Sequence, residues 1–175
     1  MNNEKKKTRL CANRRQFLLT GSTTAAMMML MGPAGPKMAE AQIKEYPRKK
    51  IGKISKLKTG KPVSFTYPDD DSENFLIKVG EPAGMGIGKE VDIVAFNSLC
   101  THMGGPMDTT DYKPADKVMG PCPFHLTTFD ISRYGMVVSG HATQSLPQIQ
   151  LQADGDDIYA IGVVGLIYGR NSNLA

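Results

Sequence analysis

The chain has 175 residues, with 18 glycines, 11 prolines and no tryptophan, which fits one domain plus some extra length and favours turns and short strands over long helices. Its formal net charge of +4 is unevenly placed: residues 1–41 carry +5 and residues 42–175 carry −1. The body has no basic excess, so a nucleic-acid-binding role loses its main support.

The first stretch reads as an address. A basic start from Lys5 to Arg15 precedes the apolar run FLLTGSTTAAMMMLM, and Ala39 and Ala41 then offer a small-residue cleavage pattern. Arg14 and Arg15 stand directly before Gln16, Phe17, Leu18 and Leu19, which matches the twin-arginine export signal. The apolar run is short for a membrane span, and Thr20, Gly21, Ser22, Thr23 and Thr24 dilute it. The expected division is a cleaved leader over 1–41 and one domain over 42–175, exported to the periplasm, with membrane contact peripheral at most.

After residue 42 no helical pattern of useful length occurs. The runs VSFTY (63–67), NFLIKVG (74–80), VDIVAFN (91–97), TTFDIS (127–132) and MVVSG (136–140) read as short strands between turn residues. IQLQADGDDIYAIGVV (149–164) reads as a hairpin turning at Ala153-Asp154-Gly155-Asp156. These elements predict an all-β domain of sandwich or barrel type. Asp69-Asp70-Asp71 is expected to be a solvated turn.

Cys11 falls in the leader, so the body holds two cysteines, Cys100 and Cys122, each closely followed by a histidine, His102 and His125. The pairs Cys100-x-His102 and Cys122-x-x-His125 are 19 residues apart on Gly/Pro-rich loops at about 97–130. Two cysteines alone fit one disulfide in an exported protein; with the histidines they point to a metal. Four ligands of this type admit a tetrahedral zinc ion or a [2Fe–2S] cluster with both thiolates on one iron and both imidazoles on the other. Zinc fingers usually keep like ligands together, whereas each loop here gives one of each kind. That favours two loops clasping a two-iron group, with glycines that let backbone N–H groups approach the sulfurs.

CTHMGG and CPFH resemble the two cluster-binding loops of the Rieske iron–sulfur family. The resemblance implies the Rieske fold: three small antiparallel sheets with a loop-rich cluster-binding subdomain. It also implies one [2Fe–2S] cluster, with Cys100 and Cys122 on the inner iron and His102 and His125 on the outer iron. Cytochrome bc-type members carry a loop-to-loop disulfide at the positions of Gly105 and Phe124, so that bridge is absent here. They also carry a Ser and a Tyr that donate to the cluster sulfurs where this chain has Thr127 and Phe129. Thr127 keeps a hydroxyl and Phe129 does not. Loss of a donor lowers the potential, which is expected near the middle of the Rieske range of roughly −150 to +300 mV.

Within the family the chain resembles the small subunit of arsenite oxidases, through EYP (45–47), YPDDD (67–71), the two cluster loops, HATQSLPQ (141–148) and LIYGRNSNL (166–174). That resemblance implies a heterodimer. The molybdopterin-containing large subunit oxidises arsenite to arsenate, and this chain relays electrons to a soluble cytochrome c or a blue-copper protein. No catalytic residue is expected in this chain. The alternatives are a Rieske subunit of a quinol-oxidising membrane complex and a zinc-binding domain without redox function.

Six further positions carry weaker expectations. His141 reads as a structural or surface histidine, with a docking or proton-coupled role as the minor alternative. Met103 and Phe124 are expected to shield the cluster from water. Tyr159, Tyr168 and Arg170 read equally as contacts to the large subunit or as packing within the domain. If the leader is removed after Ala41, the mass of the mature protein corresponds to a chain beginning at Gln42; an intact Met1 contradicts this.

Overall fold

The structure is a computed structural model and describes residues 45–174. The twin-arginine leader expected over 1–41, and its expected cleavage site, lie outside the described residues.

Among the described residues, short β-branched and aromatic runs, punctuated by Gly and Pro, form ten strands. In chain order they are β1 (Lys49–Lys53), β2 (Val63–Thr66), β3 (Glu73–Lys78), β4 (Ile93–Asn97), β5 (Tyr112–Lys113), β6 (Val118–Met119), β7 (Thr128–Asp130), β8 (Met136–Ser139), β9 (Gln148–Asp154) and β10 (Asp157–Val164). Among the described residues the helical turns are two 3₁₀ pieces of three residues each, Ile54–Lys56 and Thr109–Asp111. The all-β expectation holds.

The strands hydrogen-bond into a six-stranded sheet, β1-β10-β9-β4-β3-β2, and a four-stranded sheet, β5-β6-β7-β8. Their paired strands run antiparallel. The resemblance implies three small sheets. Here the ladder runs on from β3 through β4 into β9, where only Ala95↔Ile149 and Phe96↔Gln148 pair. That narrow join makes one six-stranded sheet of what are otherwise two.

Alternation along β3 and β4 sends side chains to both faces. On one face Phe75, Ile77, Val94 and Phe96 meet Met119, Phe129 and Val137 of the four-stranded sheet, together with Cys100 and Cys122. On the other face Leu76, Ile93 and Ala95 meet Ile149, Ile158, Ala160 and Tyr67. All five residues of β4 are buried, so the strand that leads into the first Cys-His loop is the best enclosed element of the sheet.

β1 was not visible in the sequence because KKIGK carries no alternating apolar pattern. It is an edge strand, and its lysines meet the acidic β9–β10 turn. Lys50 Nζ lies 2.5 Å from Asp157, and Lys53 bridges Asp156 and Asp157 at 3.8 and 3.5 Å. Arg48 stacks 3.4 Å over the Tyr159 ring, so Tyr159 packs within the domain. Exposed pairs of this kind contribute roughly 0–1 kcal/mol each, and edge lysines also discourage pairing with another sheet.

The Asp69-Asp70-Asp71 turn is not simply solvated. Arg170 binds Asp69 with both guanidinium nitrogens, at 2.5 and 3.0 Å. The guanidinium holds the Asp69 carboxyl down to about 2. What this pair adds to stability is present above the ordinary carboxylate range and is lost as pH falls through about 2.

A buried amide relay joins this turn to the first loop. Asn74 and Asn97 are both 0% exposed. Asn74 Nδ2 donates to the carbonyls of Tyr67 (2.9 Å) and Ser72 (2.7 Å), and its Oδ1 accepts from Asn97 Nδ2 at 3.1 Å. Asn97 Nδ2 also donates to Glu73 O at 2.9 Å, and its Oδ1 accepts from the Leu99 N–H at 3.1 Å, one residue before Cys100. Asn97→Ala removes this relay and strands several inward polar groups. It is expected to lower the urea-unfolding free energy by about 2 kcal/mol or more; a value within error of the parent contradicts the relay's structural role.

Candidate metal centre

Two loops of the same build carry the four sequence-selected side chains. The first, Cys100–Gly105, follows β4; the second, Cys122–Thr127, follows β6. In the first, Cys100 N–H donates to Gly105 O (2.9 Å) and Gly104 N–H donates to Cys100 O (2.8 Å). In the second, Cys122 N–H donates to Thr127 O (2.8 Å) and Leu126 N–H donates to Cys122 O (2.9 Å). The fifth residue of each loop takes a left-handed backbone, Gly104 at φ 67 and Leu126 at φ 60. Glycine accepts that conformation freely, whereas a leucine there costs roughly 1–3 kcal/mol.

The cysteines lie inside and the histidines outside. Cys100 and Cys122 are each 1% exposed and unbridged. Burial pushes the Cys100 thiol up, as does the neighbouring Cys122, while the backbone of His102 and the side chain of Thr127 pull it back down. His102 and His125 meet edge to face, with ring centroids 4.6 Å apart. Desolvation first, then the neighbouring imidazoles His125 and His141, lowers the His102 pKa.

Gly105 makes room for this arrangement. A Cβ there falls 2.5 Å from Cys122 Sγ and 3.1 Å from the Phe124 ring. Gly105 and Phe124 thus face each other, and the disulfide found at these positions in bc-type proteins is replaced by a glycine under an aromatic ring. Phe124 also stands edge-on to His125, centroids 6.3 Å apart. Met103 and Phe124 remain 52% and 56% exposed, so their apolar surface rims the histidines rather than sealing them from water.

The donor set fits a two-metal group. Both cysteines are buried in one cluster and the two imidazoles meet each other outside it. A tetrahedral zinc site needs four ligands around one point. His102 Nδ1 is buried and has no hydrogen-bond partner, the condition of a nitrogen that awaits a metal. The cysteines are reduced, buried and free to ligate.

Two features escaped the sequence. His141, in the loop after β8, stacks on His102 (centroids 5.6 Å) and meets His125 edge-on (6.3 Å), so three imidazoles gather at this end. Thr127 Oγ1 accepts from the N–H groups of His141 (3.1 Å) and Ala142 (3.4 Å) and so fixes that third loop to the second. The only signal was a histidine just after a glycine, 39 residues from His102, and no spacing rule connects them.

Residues 48–150 match the Rieske [2Fe-2S] domain, and the chain belongs to that family. It is 55% identical over 165 residues to an iodate reductase subunit, IdrB, of Pseudomonas sp. (strain SCT), covering 94% of this chain and 85% of the relative. The corresponding subunit of Denitromonas iodatirespirans is also 55% identical, over 95% of this chain and 89% of the relative. The Rieske subunit of the cytochrome bc1 complex of Streptomyces lividans is 27% identical over 56% of this chain and 62% of the relative. The soluble domain of Rieske protein II from Sulfolobus acidocaldarius shares the fold, with TM-score 0.59 and 24% identity over 67% of this chain and 78% of that one. The Rieske expectation is met; the relatives bear the name of an iodate reductase rather than of an arsenite oxidase.

Gly105→Ala presses a methyl group onto Cys122 Sγ, so the purified variant is expected to contain well under half the iron of the parent protein while its far-ultraviolet circular dichroism is retained. Full iron content in the variant contradicts the close fit.

Proposed function

We propose that this chain is the electron-relay subunit of a periplasmic iodate-reducing assembly and holds one [2Fe–2S] cluster through Cys100, Cys122, His102 and His125. The observation that carries the relay is the division of the site: a buried thiol pair within, an imidazole pair reaching the surface. Whole-length likeness to two iodate reductase subunits supports the assembly and its substrate. The catalytic subunit is then a separate chain with a molybdenum–pterin centre, and a cytochrome c or blue-copper protein exchanges electrons with the relay. The leader over 1–41 takes the folded protein across the membrane.

When bound, the cluster supplies a reversible one-electron store. Cys100 and Cys122 hold it from the buried side, where water is excluded. His102 and His125 hold it from the exposed side and provide the short path to a docked partner. The backbone of His102 and the side chain of Thr127, which both favour the charged form of Cys100, would help stabilise it as a ligating thiolate. Phe129, with no hydroxyl to offer, adds no such donor. The two sheets beneath keep these groups fixed, so little rearrangement accompanies electron arrival or departure.

A second reading, the small subunit of an arsenite oxidase, is favoured by the segments YPDDD, HATQSLPQ and LIYGRNSNL. The two differ in the direction of flow: iodate draws electrons from the relay, arsenite delivers them. A quinol-oxidising membrane subunit has less support, since its bc-type resemblance covers little more than half of the chain and lacks the disulfide. Low-temperature electron paramagnetic resonance on the native assembly separates these readings. A Rieske signal generated by dithionite is expected to disappear on adding iodate, and arsenite added to the oxidised assembly is expected to generate none. A signal raised by arsenite establishes the second reading, and indifference to both overturns each.

A further inference from the structure

The C-terminal segment after β10 does not trail away. Asn173, 7% exposed, donates to Gly165 O at 2.8 Å and to the Tyr46 hydroxyl at 3.2 Å, and accepts from the Ile167 N–H at 3.0 Å. Ile167 is 1% exposed, and its carbonyl accepts from the Arg170 N–H at 3.2 Å, which folds residues 167–170 into a turn. That turn directs two side chains. Arg170 reaches Asp69 through both guanidinium nitrogens, across 101 residues of sequence. Tyr168 lies on the Cys100–Gly105 loop: a Cβ at Gly104 falls 2.5 and 2.7 Å from two carbons of its ring.

We propose that residues 165–174 form a strap over the first cluster loop, with Tyr168 as the positioning residue that presses on Gly104 and the Asp69–Arg170 pair as its latch. The proposal rests on the reading of that loop as a cluster ligand loop. Gly104 is suited to the role because it combines a left-handed backbone with no side chain, so the ring packs directly on the main chain. Its N–H closes the loop onto the Cys100 carbonyl at 2.8 Å, so pressure at Gly104 is transmitted to the ligand-bearing backbone. The turn that holds Asp69 is the same one that Asn74 and Asn97 tie to Leu99. One turn therefore grips the loop twice, from its base through the amide relay and from its outer side through the strap.

Loosening the strap admits water to the loop. Water favours the form with more negative charge, the reduced one, so the potential rises, and iron is lost more readily. The atoms of Tyr168 nearest Gly104 are carbons of its ring.

The test uses the full-length holoprotein in its native assembly, with reduction potential and rate of iron loss to a chelator as readouts. Amide exchange over residues 98–107 is followed in the same samples. Arg170→Gln and Asp69→Asn are each expected to raise the potential and to speed iron loss about two- to fivefold, the size associated with a half-exposed ion pair. Tyr168→Ala is expected to exceed both, and Tyr168→Phe to match the parent. Because the latch acts through the ring, Arg170→Gln combined with Tyr168→Ala should be no worse than Tyr168→Ala alone. The exchanged pair Asp69→Arg/Arg170→Asp should recover much of the parent behaviour. Parent-like potential and iron retention in the latch variants, or effects that add in full to Tyr168→Ala, overturn the strap. A parent protein without a Rieske signal overturns the cluster reading instead, so the two failures are distinct.

Discussion

Two sulfurs held within hydrogen-bonding reach in a dry site, with two imidazoles kept outside it, are the constraint that orders this molecule. Each cysteine N–H turns back to a carbonyl five residues on, and each cysteine carbonyl takes an N–H from four residues on. That closure curls both loops the same way and points both thiols inward. The Cys122 sulfur then sits so near the opposite backbone that position 105 has no room for a side chain. The histidines, two and three residues beyond their cysteines, emerge on the other side of the same curls. No cross-loop disulfide is needed, because Phe124 fills the space opposite Gly105.

Loops of this kind hold their shape only as well as their supports do. β4 delivers the first loop from a strand with all five residues buried. β6 and β7 deliver the second from the small sheet that packs on it. Thr127 then joins the second loop to the one carrying His141, and Asn97 joins the first to the turn at 67–72. Few of these contacts involve charge. Most of the ion pairs lie along β1 and at Asp69–Arg170, where they fasten edges and ends, while Lys78–Asp92 and Asp130–Arg133 lie apart from these.

The chemistry of the site was open to reading because it is local: Cys and His two or three residues apart, with glycine and proline beside them. The longer strands were open for the same reason, since their pattern is written in six or eight consecutive residues. β5 and β6, with two residues each, are too short to show any period, and β1 is made of lysines whose place is set by the acids of another strand. His141 beside His102, Tyr168 on Gly104 and Arg170 on Asp69 are contacts between distant segments, and no spacing announces them. The segments YPDDD and LIYGRNSNL stood out for their likeness to a subfamily, yet only the fold shows that they touch each other. Substrate lay beyond the residues altogether: the same relay serves a catalytic subunit that takes electrons or one that gives them, and the likeness to iodate reductase subunits shifts the choice that sequence segments alone had directed to arsenite.

The proposed ligation is split, with thiolates on one iron and imidazoles on the other. Mössbauer spectroscopy on protein grown with iron-57 tests it most directly. Two irons per chain with two clearly different quadrupole doublets, one for a sulfur-only environment and one for a mixed sulfur–nitrogen environment, are the predicted result. Two equivalent irons, or a chain that carries a single zinc and no iron, contradicts it.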